Sequence, residues 1–296
     1  MEFVVQQFIS GLAAGGTYAL VALGFVLIFG VLNILNIAHV QTVMLAPISL
    51  ILLVNQGVPL IVAGALSLVA TGVFGALVFL LALKPFVGPG RKATYLAPFI
   101  ATFGISLLVE HLVGAQIGSE PRAFPVPTQF DLWQIGPIYI VPINVINLAI
   151  VSGMLVVLAL IINRTNFGRA MRAVAENPEV AAAQGISVDR VVLLTVIGAS
   201  VFGGISGLLF AADSHVATAF MGLDYGLKGL VVMIVGGVAS PVGAVIAGLL
   251  LGVLESVAVA YISSVYRDVI TFGMLFAVLI LRPQGLLVIA SREART

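Results

Sequence analysis

The chain has 296 residues, 61% of them hydrophobic and only 8% charged, with a formal net charge of +1 and no cysteine. Soluble domains carry about 25% charged residues, so this composition leaves too little for a water-facing surface and indicates a polytopic membrane protein. Near-neutral charge, with Lys and Arg scattered at the ends of apolar runs, excludes a nucleic-acid binder. The missing cysteines exclude disulfides, thiolate metal sites and thiol catalysis.

Apolar runs able to cross about 30 Å of hydrocarbon lie at 8–31, 37–55, 59–83, 95–114, 138–162, 191–212, 227–262 and 268–281. The first is too long for a signal-peptide core and follows Glu2 rather than a basic segment, so it is expected to remain as a transmembrane helix. Around the start of the second, Asn33, Asn36 and His39 recur at three-residue spacing, with Gln41 close by, which would place them near one helical stripe. Polar groups at membrane depth usually turn into the bundle or a watery cavity, so these four are candidates for a translocation pathway. The plainer reading is a helix start at the interface, with Asn as N-cap and His at the lipid headgroups. Glu110-His111 and Asp213-Ser214-His215 end the fourth and sixth runs and read as boundary residues.

Lys84, Arg91 and Lys92 share one loop, Arg164, Arg169, Arg172 and Arg190 the next but one, and Arg282, Arg292 and Arg295 the C-terminal end. The excess of bases on cytoplasmic loops puts these inside, the N-terminus outside and the C-terminus in the cytoplasm. The Pro-rich loop from Gly114 to Pro137, with Arg122 nearly its only base, then falls outside.

The interval from Asn163 to Val191 is the only long polar stretch. Within it, Asn177 as N-cap, Pro178 at the first helical position, Glu179 in the first turn and Gly185 past the end mark a short complete helix. Two turns of helix are marginal alone in water, so a docking partner is expected.

The run at 227–262 is broken by Gly236-Gly237-Val238-Ala239-Ser240-Pro241. It is read as a re-entrant half-helix near 226–235 followed by a span at about 241–260, because broken backbone at membrane depth needs burial or a cavity. Lys228, at the outer mouth of this element, and Glu255, on the face of Gly248 and Gly252, would be costly against lipid. They are candidates for the pathway or for a structural role such as capping broken backbone. Ala244, Gly248 and Gly252, Gly203 and Gly207, and Gly11 and Gly15 are spaced four apart, which lets helices approach closely, within the chain or at a subunit interface. The Gly-interrupted regions at 24–46 and 226–248 are weakly alike, as internal symmetry in a transporter would give.

No enzyme constellation emerges. Gly88-Pro89-Gly90-Arg91-Lys92-Ala93 lacks the strand and helix of a dinucleotide site, no Lys precedes Ser or Thr as in a phosphate loop, and Ser106, Ser206 and His215 form no triad spacing. No catalytic residue and no metal site is expected.

Several strings in order carry a resemblance: Gly16-Thr17-Tyr18-Ala19-Leu20; Asn36-Ile37-Ala38-His39; Gly168-Arg169-Ala170-Met171-Arg172-Ala173 with Glu176 and Gly185-Ile186; Gly226-Leu227-Lys228; Gly236-Gly237; Pro241-Val242-Gly243-Ala244; and Arg282-Pro283-Gln284-Gly285-Leu286. Over nearly its whole length the chain resembles the first of the two permease types in ABC importers for branched-chain amino acids. The resemblance implies an all-α membrane protein of about eight transmembrane helices plus the re-entrant half-helix, forming one permease domain over 1–296. It implies a heterodimer with a sister permease, two cytoplasmic ATPase subunits that hold the ATP and Mg, an extracytoplasmic binding protein, and a bacterial or archaeal cell (inner) membrane; no cofactor is expected in this chain. The loop at 164–190 becomes the ATPase-coupling element, with Arg169, Arg172, Glu176, Asn177, Pro178, Glu179, Ala182 and Gly185 as its contacts. Family members commonly follow the His of the second span with Gly and Glu. This chain has Val40 and Gln41 there, with Ala46-Pro47 beyond, and relatives of similar sequence serve urea or short amides. The competing expectation is a secondary transporter or channel for such a small polar solute.

Overall fold

The computed structural model describes residues 2–87, 95–125, 133–135 and 138–287. Arg91, Lys92, Arg292, Arg295 and the Gly88–Ala93 string lie outside them. The helices are α1 (Glu2–Leu32), α2 (Gln41–Asn55), α3 (Leu60–Val78), α4 (Leu96–Ile117), α5 (Pro142–Arg164), α6 (Asn166–Glu176), α7 (Pro178–Ala183), α8 (Val188–Ser214), α9 (Met221–Gly236), α10 (Pro241–Tyr261) and α11 (Arg267–Leu281). Eight helical segments of the described residues are long and apolar enough to cross a membrane: those of α1 to α5, α8, α10 and α11. The chain is an all-α polytopic membrane protein, as its composition requires.

The element expected near 226–235 is α9, which begins earlier, at Met221. Its 16 residues rise about 24 Å, short of the roughly 30 Å of a full crossing. The fifth apolar run is shorter as a helix than the sequence suggests. Ile138–Ile140 (β3) pairs antiparallel with Trp133–Ile135 (β2), and the helix starts at Pro142, whose missing N–H costs nothing in the first turn.

Helix α1 is the mast of the bundle. A Cβ on Gly15 would lie 2.5 Å from the Gly248 carbonyl oxygen, and one on Gly252 would lie 2.3 Å from that of Gly11, so α1 and α10 touch backbone to backbone. Gly207 of α8 sits as closely on the carbonyl of Val43 in α2, at 2.0 Å from a built Cβ. That carbonyl has lost its helical donor, because Pro47 has no N–H to give. The four-residue glycine spacings are therefore packing seams within this chain.

The ends of the bundle differ. At one end lie α6, α7, the pair Lys84–Asp189 at 4.0 Å and the α9–α10 turn, which Leu286 and Leu287 hold by hydrogen bonds to the carbonyls of Val235 and Gly236. At the other, Arg122–Ala123 (β1) pairs with Val216–Ala217 (β4) just beyond α8, where His215 takes the left-handed conformation, φ 59°.

Candidate functional site

Between α1 and α2 the chain does not form one helix. Asn33 turns it back with φ 53°, Asn36 is extended, and Ile37–Val40 make one 3-10 turn before α2 starts. The expected shared stripe is therefore corrected: Asn33 is exposed at the turn, away from Asn36, His39 and Gln41, because a left-handed residue followed by extended backbone breaks the helical repeat. The interface reading also fails. Asn36, His39 and Gln41 are at most 2% exposed, and the Asn36 side chain makes no cap hydrogen bond.

Glycines on three helices leave room for the turn: Gly24 of α1 against the His39 ring, Gly203 of α8 against Thr42, and Gly222 and Gly226 of α9 against Gln41 and Val40. His39 Nε2 lies 3.3 Å from the Val21 carbonyl oxygen, which can only accept, so this contact requires the proton on Nε2, and in the neutral ring Nδ1 is then an acceptor. Nδ1 has no partner, nor do Asn36 Oδ1 and Gln41 Oε1. Three unpartnered acceptors within six residues is a concentration that folded proteins normally avoid.

Helix α4 supplies the other half of the network. Its buried polar residues are Thr102, Ser106 and Glu110, one turn apart. The Thr102 hydroxyl accepts from the Ile37 amide at 3.2 Å, and Gln41 Nε2 donates to Ser106 Oγ at 2.9 Å and to Glu110 Oε2 at 3.0 Å. Glu110 is 6% exposed, which corrects its reading as a solvated boundary residue. The signal was in the sequence: three polar residues four apart in an apolar run mark one buried stripe.

A second polar cluster ties α9, α10 and α11 to α1. Lys228 Nζ lies 2.9 Å from Glu255 Oε1 and 3.3 Å from Asp268 Oδ1, and 5.6 Å from the centre of the Tyr18 ring. Glu255 also accepts from the Tyr18 hydroxyl at 2.7 Å and from the Thr271 hydroxyl. The capping role considered for Glu255 is thereby corrected, since its carboxylate is filled by side chains. The broken backbone after Gly237 is capped instead by Ser240, whose hydroxyl accepts from the Gly243 amide at 3.1 Å. Arg267 Nε stands 3.9 Å from Glu255 Oε2. Cavities of about 350 and 340 Å³ flank this cluster and share Tyr225 and Arg267 as walls.

In the polar interval the short helix expected after Asn177 is α7, and a longer helix not singled out from the sequence, α6, precedes it. Thr165 caps α6 and Asn177 caps α7, accepting from the amides of Glu179 at 2.9 Å and Val180 at 3.1 Å. Gly185 ends the unit at φ 85°. Arg169 donates to Asn166 and Arg172 to the Ile162 carbonyl, while Glu176, Asn177, Pro178 and Glu179 face outward. Ala182 is half-buried against the bundle, and Val180 stands 52% exposed as an apolar residue on a polar unit. Among the described residues, no group of three or more His, Cys, Asp or Glu could hold a metal ion.

The family model described as "branched-chain amino acid transport system / permease component" matches residues 7–279. The chain is 29% identical to the high-affinity branched-chain amino acid transport system permease protein LivH of Salmonella typhimurium, covering 96% of both chains. It is 30% identical to the corresponding protein BraD of Pseudomonas aeruginosa, over 96% of this chain and 95% of the relative. It is also 30% identical to a probable branched-chain amino acid transport permease of Methanocaldococcus jannaschii, over 90% of this chain and 87% of the relative. No solved structure matches the chain significantly.

Proposed function

Because the chain belongs to the family of permease components of branched-chain amino acid transport systems, we propose that it forms the membrane pathway of an ABC importer carrying a branched-chain amino acid inward. The observation that carries this reading is the extent of the match, which runs through every membrane-crossing helix and the polar interval between α5 and α8. In this reading ATP and Mg bind in separate ATPase subunits, a sister permease completes the pathway, and an extracytoplasmic protein delivers the solute. The end bearing α6 and α7 faces the cytoplasm and the N-terminus lies outside. Supporting that orientation, Lys84, Arg164, Arg169, Arg172, Arg190 and Arg282 flank helix ends on that side.

Coupling then runs through α7. The helix is capped by Asn177, closed by Gly185 and joined to α6 and α8 by short turns, so force on its exposed face passes to those helices with little loop to absorb it. Val180, rather than the half-buried Ala182, is the residue offered to a groove in the ATPase. Asn36, His39 and Gln41, with their unpartnered acceptors, are the groups of the predicted pathway set that remain free to meet a solute's donors when the helices move. Lys228 and Glu255 hold the bundle together.

The test is uptake of labelled leucine by vesicles containing the assembled importer. ATP-dependent uptake is expected, and uptake driven by an ion gradient without ATP, or of urea or acetamide in place of leucine, would overturn the reading. Val180→Asp, a change at an exposed site, is expected to leave the complex inserted while lowering uptake per ATP hydrolysed by about tenfold, the scale of losing a central apolar contact.

A further inference from the structure

The cavity of about 350 Å³ beside the charge cluster lies at the end of the bundle opposite α6 and α7, lined by residues of α1, α8, α9, α10 and α11. Its lining is chemically lopsided. Tyr18 and Glu255 are buried and already bonded to each other, and Lys228 and Arg267 together balance Glu255 and Asp268. Asp213, exposed on the far wall, makes no hydrogen bond or close ion pair among the described residues, and the charges it feels are those of His215 and Arg267. Arg267 is held loosely. Its contact with Glu255 is 3.9 Å, well beyond the roughly 2.8 Å of a charge-assisted hydrogen bond, and its side chain is 44% exposed. Among the described residues its guanidinium makes no hydrogen bond. In the same lining Phe210 and Tyr225 stack with centroids 4.3 Å apart, giving an apolar wall.

We propose that this cavity is a binding site for a free α-amino acid, with the carboxylate on Arg267, the ammonium on Asp213 and the side chain against the Phe210–Tyr225 stack. Guanidinium suits a carboxylate because its parallel N–H groups match both oxygens. Asp213, on the wall shared with Arg267, gives the ammonium a counter-charge, and an amino acid leaves the net charge of the cavity unchanged. Lys228 cannot serve as the anion receptor, since two carboxylates already occupy it. Glu255 cannot serve as the cation receptor for the same reason, and its fixed bonds to Lys228, Tyr18 and Thr271 hold the floor of the site.

The proposal rests on the importer reading for its solute and is tested apart from it. The full chain in lipid nanodiscs is titrated with labelled leucine, with 3-methylbutylamine and 4-methylpentanoate as competitors that each lack one charged group. Saturable leucine binding is expected, weakened about tenfold or more by Arg267→Gln and by Asp213→Asn, with neither competitor displacing leucine at equal concentration. Arg267→Lys, which keeps the charge without the planar fork, is expected to retain part of the binding and to confirm that the bundle is intact. Absence of saturable binding, binding indifferent to Arg267→Gln, or displacement by the amine alone would overturn the site. ATP-driven leucine uptake by the assembled importer that persists unchanged in Arg267→Gln would also refute it while leaving the importer reading standing. Leucine binding without any ATP-driven uptake would do the reverse.

Discussion

The chain interrupts its helices in two comparable places, between α1 and α2 and between α9 and α10, and solves the backbone problem differently in each. At the second, Ser240 caps α10, Gly237 turns with φ 109°, and the carbonyls left open at Val235 and Gly236 are taken by Leu286 and Leu287. It is a sealed turn at one end of the bundle. At the first, the break lies beside the middle of α1 and its amide at Ile37 is satisfied only by Thr102 of another helix. Three side-chain acceptors there stay unpartnered. The louder sequence signal thus marks the quieter structure. A break whose needs are met locally is scaffold, whereas one that borrows partners from α1 and α4 and packs against glycines of α8 and α9 changes whenever those helices shift.

That contrast can be broken by substitution, most severely at Gly207. A Cβ there would sit 2.0 Å from the Val43 carbonyl oxygen, so Gly207→Leu is expected to yield no monodisperse protein on size-exclusion in detergent. Next comes Gln41→Glu, which sets two carboxylates about 3.0 Å apart inside the bundle. A loss of about 3 kcal/mol or more is expected in denaturant unfolding, largely restored by adding Glu110→Gln, which replaces the repulsion with an amide partner. Restoration failing in the double variant would mean that the network is not the cause. At the sealed turn the effect is smallest: Ser240→Ala removes one cap bond and is expected to cost about 1 kcal/mol, with uptake kept. A transport defect from Ser240→Ala in a stable protein would erase the distinction between the two breaks.

What could be read in advance follows the range of the interactions. The cap of α7 bonds within three residues, so Asn177, Pro178 and Gly185 could be read from their order alone. The eight crossings follow from composition, and the glycine seams from spacing. The polar network could not be read in the same way. Gln41 and Glu110 are 69 residues apart, and nothing local in the fourth run says which helix its polar stripe faces. Lys228 and Glu255 are costly against lipid on sequence alone, but their mutual pairing depends on the α9–α10 hairpin, and Tyr18 and Thr271 reach them from helices at opposite ends of the chain. Asn33 misled because periodicity presupposes a continuous helix, and the backbone turns at that very residue.

The mast helix also sets a schedule. Ser256 of α10 donates to the Gln7 carbonyl of α1 across 249 residues of chain, and the Gly11–Gly252 and Gly15–Gly248 seams close only when that hydrogen bond can form. At about 5–20 residues synthesised per second, α1 waits on the order of 10–50 s in the bilayer before its chief neighbour exists. Through that interval its glycine stripe is open to any other small-faced helix.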